Sequence, residues 1–207
     1  MTEPRPNRSS LPVWLPVLLG ILVVLALFAW FVLPRLRPYQ FNGTVIQSEM
    51  PATEFTLSSA NGPVSLSDYR GKLVLLYFGY TFCPDVCPTT LSDVNRALDQ
   101  LGRKAEDVQL IMVSVDPARD DVAKLAEYVE FFNPTFVGVT GPDEEVRRVA
   151  TLYNVWYEAH EEEGASGYLV DHTATLNVID EEGHLKLLIG YGVGADAIAA
   201  DLDYMLR

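Results

Sequence analysis

The chain contains two cysteines, Cys83 and Cys87, which are separated by three residues. They follow an apolar segment that is typical of a buried strand (residues 73–79) and open a segment with the apolar spacing of a helix. The carboxyl ends of strands are where open α/β sheets usually build sites, and a helix N-terminus favours the thiolate form of cysteine. Because thiolates bind soft metal ions and attack disulfides, the pair predicts either metal binding or redox exchange.

The spacing of the pair favours metal binding. Cys-x-x-x-Cys is one residue longer than the Cys-x-x-Cys of thioredoxin redox motifs, which changes the geometry that a tight redox disulfide needs. Both sulfurs can still converge on one point. Two thiolates suit a soft ion such as Cu(I), and one imidazole would complete a three-coordinate site. A four-coordinate structural zinc site would need more Cys or His ligands than this chain readily offers.

Other roles for the cysteines stay open. A structural disulfide is plausible in an exported domain, although so short a loop gives modest stabilisation. A thiol–disulfide oxidoreductase would use the same two thiols, and the spacing argues against it. A peroxidase needs an activating Arg and Thr near its cysteine; Thr81 is close in sequence, but no arginine adjoins the motif.

Three histidines are candidates for the third ligand. His184 falls in a predicted hairpin turn and His160 in an acidic stretch, so we expect both to be solvated. His172 immediately precedes a predicted strand at residues 175–179. The strands and helices predicted along the chain follow the order of thioredoxin-like folds, in which the segment entering that strand faces the cysteine loop and the redox enzymes carry a proline there. Here the position holds a histidine, which makes His172 the predicted third ligand.

The elements that must position these residues follow a mixed α/β pattern. Asn61 and Gly62 predict the turn of an early hairpin, and two runs of apolar residues predict buried strands. Right-handed crossovers would place those two strands, residues 73–79 and 108–115, parallel and adjacent. We therefore predict an α/β, thioredoxin-like fold with an added N-terminal β-hairpin. The predicted strands are residues 54–57, 64–66, 73–79, 108–115, 136–139, 175–179 and 185–189, and the predicted helices begin near residues 88, 120, 143 and 195.

The N-terminal region predicts one transmembrane helix. Residues 11–33 contain no charged residue and match the roughly 20 residues that a bilayer core requires. A cleaved signal peptide is the alternative, but it would have a shorter apolar region and a clean small-x-small cleavage site. We predict a short tail (1–10), an anchor (11–33), a tether with a lead-in strand (34–52) and a thioredoxin-like domain (53–207). Two arginines flank each side of the anchor, so the positive-inside rule does not decide its orientation.

The charge of the chain excludes some partners. Residues 38–207 contain 11 of the 15 basic residues and 27 of the 28 acidic residues, which gives this part of the chain a formal charge of −16. Such a surface repels nucleic-acid phosphates and also anionic lipid. We therefore expect no nucleic-acid partner, and a domain that stands away from the membrane surface.

Three motifs carry a family resemblance. Residues 77–88 read Tyr-Phe-Gly-Tyr-Thr-Phe-Cys-Pro-Asp-Val-Cys-Pro, residues 113–120 read Val-Ser-Val-Asp-Pro-Ala-Arg-Asp, and residues 171–173 read Asp-His-Thr. In this order they resemble the SCO/SenC family of membrane-anchored copper chaperones for cytochrome c oxidase assembly. The resemblance covers roughly residues 48–207 together with the N-terminal anchor.

The resemblance implies a set of site residues. The family's copper ligands fall on Cys83, Cys87 and His172, which would bind Cu(I) or Cu(II), and the two cysteines would also form a redox disulfide. Asp85, Asp116 and Asp171 would be carboxylates that support the ligands or take part in docking. Asp120 would shape the neighbouring loop, although a helix N-cap explains it equally well.

The resemblance also implies partners and a location. The chain would be a metallochaperone rather than an enzyme, and it would deliver copper to the binuclear centre of cytochrome c oxidase subunit II after receiving it from a donor protein. The alternative is a thiol–disulfide oxidoreductase that reduces the acceptor's cysteines. The protein would be a single-pass protein of the plasma (inner) membrane, with its domain facing the periplasm or cell exterior.

Overall fold

A computed structural model describes residues 14–32, 36, 38–47, 51–161 and 167–207. Residues 41–207 form one compact unit, and the N-terminal helix belongs to another, so each is described by itself. The predicted tail (1–10) lies outside the described residues, as do residues 11–13 and 33 of the predicted anchor and parts of the tether.

The N-terminal unit contains one apolar helix, α1 (Trp14–Val32). The helix has 19 residues, an 18-residue stretch of it has a mean hydropathy of 2.8, and none of its residues is buried. Length and composition make α1 able to cross a membrane. Within the described residues it is the one helix that meets these criteria.

The second unit is built around a six-stranded mixed sheet. Its strands are β1 (Thr44–Val45), β4 (Leu73–Gly79), β5 (Val108–Ser114), β6 (Val137–Val139), β9 (Thr175–Ile179) and β10 (Leu185–Gly190). Strands β4, β5 and β6 run parallel to one another, and β9 lies antiparallel to β4 on its other side. Strand β10 pairs antiparallel with β9, and the short β1 pairs antiparallel with β10, which gives the spatial order β1-β10-β9-β4-β5-β6.

Helices cover this sheet. The described residues of this unit contain four α-helices, α2 (Val86–Leu101), α3 (Val122–Phe132), α4 (Asp143–Leu152) and α5 (Ala195–Met205). Every residue of β4 and β5 is buried, as expected for central parallel strands whose two faces are both covered. The parallel pairing of β4 with β5, which the crossover rule predicted, is confirmed over all seven residues of each strand.

Two hairpins lie outside the main sheet. The first, β2 (Thr56–Ser59) with β3 (Gly62–Ser65), confirms the predicted N-terminal hairpin, and Gly62 adopts a φ of +116° that favours glycine in its turn. The second was not predicted: it pairs β7 (Tyr157–Glu161) with β8 (Tyr168–His172). Its first strand falls in the acidic stretch that the sequence indicated only as solvated chain, and its second strand carries His172.

The predicted helix starts agree with the structure. Helix α3 begins after Asp121, whose carboxylate accepts a hydrogen bond from the Lys124 N–H at 2.8 Å and so caps the helix. Helix α2 begins at Val86, which places Cys87 in its first turn and leaves Cys83 in the loop after β4. The two cysteines are therefore held by different kinds of backbone, one helical and one in a loop.

Candidate metal centre

The cysteine loop is tied to the end of strand β5 by a buried carboxylate. Asp120 is fully buried and accepts hydrogen bonds from the Thr81 N–H at 2.9 Å and from the Thr81 hydroxyl at 2.5 Å. The Ser114 hydroxyl donates to the same carboxylate at 2.8 Å. Thr81 lies two residues before Cys83, so this contact restricts the loop that presents the first sulfur.

The two sulfurs occupy different environments. Cys83 is half-buried, whereas Cys87 is completely buried. The backbone N–H of Cys87 donates to the sulfur of Cys83 at 3.3 Å, so one N–H of the first turn of α2 points at that sulfur. This arrangement stabilises negative charge on Cys83.

The space for the Cys87 sulfur exists because residue 79 is glycine. A Cβ atom at Gly79 would lie 2.8 Å from the sulfur of Cys87 and 2.8 Å from Cε1 of Tyr77. Any larger residue would therefore displace the start of α2 or the tyrosine ring. A glycine inside a strand pattern is a known signal of such a close approach, and it was available in the sequence.

His172 completes a cluster with the two cysteines. Its Nε2 atom lies 3.3 Å from the sulfur of Cys87, and the three possible ligand atoms all lie within 4.8 Å of one another. The imidazole is bordered by two tyrosines that contact it edge-on, Tyr77 at 6.3 Å and Tyr80 at 5.8 Å between ring centroids. Its other nitrogen, Nδ1, is buried and has no hydrogen-bond partner among the described residues. The ring is therefore fixed mainly by packing.

The electrostatics of the pair are asymmetric. A hydrogen bond from the Cys87 thiol is the main reason that the pKa of Cys83 is lowered to about 4, and burial opposes this shift only partly. That same hydrogen bond, together with burial, raises the pKa of Cys87 far above its ordinary value. At neutral pH the metal-free site thus holds one thiolate and one thiol, and a metal that binds both sulfurs must displace the proton of Cys87.

The cluster opens to solvent through a cleft of about 220 Å³. Asp85 and Asp171 line the cleft, and both are exposed. The Asp171 carboxylate lies 3.5 Å from Nδ1 of His160, and the Asp85 carboxylate accepts a hydrogen bond from the Thr89 hydroxyl at 3.3 Å. These two predicted site residues therefore lie at the mouth of the cleft.

Asp116 occupies a different position. It is 3% exposed and does not line the cleft, and its carboxylate accepts a hydrogen bond from the Tyr168 hydroxyl at 2.6 Å. It also forms an ion pair with Arg119. The Arg119 guanidinium in turn lies 4.8 Å from the ring of Phe82, so an arginine does approach the cysteine motif, although none adjoins it in sequence.

The other two histidines lie outside the cluster. His160 has a side chain that is 43% exposed, in agreement with the prediction that it is solvated. For His184 that prediction was wrong: its side chain is only 23% exposed, and its Nδ1 atom lies 3.3 Å from the Asp180 carboxylate. The short turn between β9 and β10 folds the imidazole back onto this carboxylate rather than into solvent.

The asymmetry of the cysteines makes a testable prediction. In the reduced, metal-free protein, we expect one thiolate per chain from about pH 5 to about pH 8, because the lowered pKa of Cys83 keeps it ionised until the pH falls towards 4. Ultraviolet thiolate absorbance measured during a pH titration would show this. The Cys83→Ser variant should lack the signal. Thiolate absorbance that develops only above about pH 8 would contradict the predicted electrostatics.

The chain resembles known proteins in sequence and in structure. A curated mouse relative, "Protein SCO2 homolog, mitochondrial", is 32% identical over 169 residues, which cover 80% of this chain and 66% of the mouse protein. The chain thus spans slightly less than two thirds of that relative's length.

Solved structures resemble the chain more completely. Apo Sco1 from Thermus thermophilus is 43% identical, with a TM-score of 0.72, and the match covers 80% of this chain and 97% of that one. ScoI from Arabidopsis thaliana, whose structure contains bound copper, is 35% identical, with a TM-score of 0.71 and coverages of 76% and 99%.

A more distant neighbour supports the fold alone. The thioredoxin domain of a Bacteroides vulgatus thiol-disulfide oxidoreductase is 17% identical, with a TM-score of 0.54 over 78% of this chain and 99% of that one. The predicted thioredoxin-like architecture is therefore confirmed. Residues 45–207, most of the chain, also match the sequence model of SCO1/SenC proteins. The chain belongs to the SCO1/SenC family.

Proposed function

We propose that Cys83, Cys87 and His172 bind copper and that the protein delivers it to the binuclear copper centre of cytochrome c oxidase subunit II. The observation that carries the proposal is the convergence of two sulfurs and one imidazole nitrogen within 4.8 Å of one another. Thiolate and imidazole are ligands that suit Cu(I), and imidazole also suits Cu(II). The copper bound in the related Arabidopsis structure supports the choice of metal.

The chemistry of delivery is an exchange of ligands. Copper would be the cargo of the protein, held while acceptor ligands replace Cys83, Cys87 and His172 one by one. No electron transfer is needed, since each sulfur leaves as a thiolate or takes up a proton. The half-buried position of Cys83 supports a start at this residue, because Cys87 lies behind it without contact with solvent.

A second function is supported by the same cysteines. Cys83 is half-exposed to solvent and has a lowered pKa, which favours an attacking thiolate. The sulfur of Cys87 lies within 4.8 Å of the Cys83 sulfur, close enough to resolve a mixed disulfide. The chain would then reduce a disulfide of the acceptor with two electrons and itself acquire a Cys83–Cys87 disulfide. The tight histidine contact favours the metal site, because disulfide exchange has no need of an imidazole at the buried thiol.

The domain organisation supports delivery outside the cytoplasm. We propose that residues 11–33 anchor the protein in the plasma (inner) membrane, that residues 34–52 tether the domain, and that the domain of residues 53–207 faces the periplasm or cell exterior. The support is the apolar helix Trp14–Val32, which is long enough to cross a membrane. A site that delivers copper to the oxidase must lie on the side of the membrane where the acceptor's copper centre is assembled.

The ligand assignment predicts the effect of one substitution. Replacing His172 by Ala should weaken Cu(I) binding about 10- to 100-fold or more, because even partners that only orient metal ligands contribute that much. Competition with a chromophoric Cu(I) chelator measures the affinity, and X-ray absorption at the copper edge should show the loss of a nitrogen ligand. His184→Ala is the matched control and should change neither result. Full affinity in His172→Ala would contradict the assignment.

Delivery predicts a transfer of metal between purified proteins. Mixing the copper-loaded chain anaerobically with the reduced, metal-free copper domain of subunit II should move copper to the acceptor, as measured in each protein after separation. A second reaction pairs the reduced, metal-free chain with the acceptor in its disulfide form. If the chain retains its copper in the first reaction and reduces the acceptor in the second, these results would contradict copper delivery and support the oxidoreductase function.

The proposed orientation predicts the labelling of one thiol. A membrane-impermeant maleimide should modify Cys83 in spheroplasts without lysis, because this thiol is partly exposed whereas Cys87 is buried. The Cys83→Ser variant should remain unlabelled under the same conditions. Labelling that requires lysis would place the domain in the cytoplasm.

A further inference from the structure

Arg119 joins three parts of the molecule around the site without contributing a ligand atom. Its Nε atom forms an ion pair with Asp116 at the end of β5. Its Nη1 atom donates a hydrogen bond to the backbone carbonyl of Tyr168 at 2.8 Å. The centre of the guanidinium lies 3.6 Å from the ring centroid of Tyr168 and 4.8 Å from that of Phe82. One side chain therefore contacts the loop that follows β5, the strand that carries His172 and the cysteine loop.

The contact with Asp116, in the loop after β5, is well shielded from solvent. The side chains of Asp116 and Arg119 are only 2% and 20% exposed, so their ion pair is little screened by solvent. Asp116 also accepts a hydrogen bond from the hydroxyl of Tyr168. The strand β8 is thus fixed at Tyr168 in three ways, through its carbonyl, its ring and its hydroxyl group.

The strand needs such a support. The β7–β8 hairpin is a two-stranded sheet of its own, separate from the six-stranded sheet, and hairpins of two strands are marginally stable by themselves. Residues 168, 170 and 172 alternate with their neighbours and point to one face of β8. On this face Tyr168 is bound by Arg119, and His172 contacts Cys87. Between them, the Val170 N–H donates to the hydroxyl of Tyr80 at 3.2 Å.

We propose that Arg119 is the positioning residue that fixes strand β8 against the loop after β5 and thereby holds the His172 imidazole beside the cysteines. The expected effect of Arg119 on copper affinity rests on the proposed function. The expected effect of Arg119 on the position of His172 does not. Lysine cannot replace arginine here, because its single ammonium group cannot engage Asp116, the Tyr168 carbonyl and the aromatic faces together.

The first test is a double-mutant cycle in the full chain. Arg119→Lys keeps the positive charge beside Asp116, so it tests the geometry of the guanidinium without leaving a buried carboxylate unpaired. We expect Cu(I) affinity to fall about tenfold, the size of effect typical of groups that orient metal ligands. In the His172→Ala background the same substitution should have no effect, since Arg119 acts through the histidine. Equal losses in both backgrounds, or no loss in either, would overturn the proposal.

The second test needs no metal. In the metal-free protein, the nuclear Overhauser effects between the rings of His172 and Tyr80 report the position of the histidine, since their centroids lie 5.8 Å apart. Arg119→Lys should weaken these signals, and unchanged signals would refute the positioning role. If His172→Ala itself binds copper normally, the ligand assignment fails, and the Overhauser measurement alone then decides the role of Arg119.

Arg148→Lys is the matched control for both tests. Arg148 also forms an ion pair with a carboxylate three residues before it, Glu145, but the pair lies on helix α4 and is about half exposed. This substitution should change neither the affinity nor the Overhauser signals. A similar loss in this control would show that a general effect of replacing arginine, and not the position of Arg119, explains the result.

Discussion

The buried carboxylate of Asp120 is the constraint on which the site depends. It accepts hydrogen bonds from both donors of Thr81 and from Ser114, and it lies 3.4 Å from the ammonium of Lys124. Burying a carboxylate is costly unless it is paired and hydrogen-bonded, so these contacts offset the cost of placing Asp120 in the interior. The cysteine loop cannot leave the end of β5 without breaking the hydrogen bonds of Thr81 and leaving this buried carboxylate with fewer partners.

The position of Cys87 follows from this fixed loop. Because β4 ends at Gly79 and α2 starts at Val86, the second sulfur is directed back against the strand, into the space that the glycine leaves. There it meets His172, which arrives on a separate hairpin. Strand β4, helix α2 and the β7–β8 hairpin thus meet at one point. A preformed metal site requires an arrangement of this kind.

The sequence was informative where a local pattern determines the structure. The buried strand before the cysteines, the helix after them and the parallel pairing of β4 with β5 all follow from periodicity and connection rules. His172 was predicted from topology, since a single histidine has no distinctive pattern of its own. The β7–β8 hairpin was missed although its first strand alternates, with Tyr157 and Ala159 alternating with polar residues, because the short run lies in an acidic stretch that we interpreted as solvated chain.

The roles of Arg119 and Tyr80 could not be predicted from the sequence for a different reason. Arg119 lies 49 residues from its partner Tyr168 in the chain, and Tyr80 lies 90 residues from Val170. Contacts of this kind depend on where the hairpin is placed, which no local pattern encodes. Such long-range contacts hold the proposed ligand His172 in place, and the contact between Thr81 and Asp120, which lie 39 residues apart, restricts the cysteine loop. The arrangement of the three proposed ligands therefore depends on the tertiary fold and not on the local sequence alone.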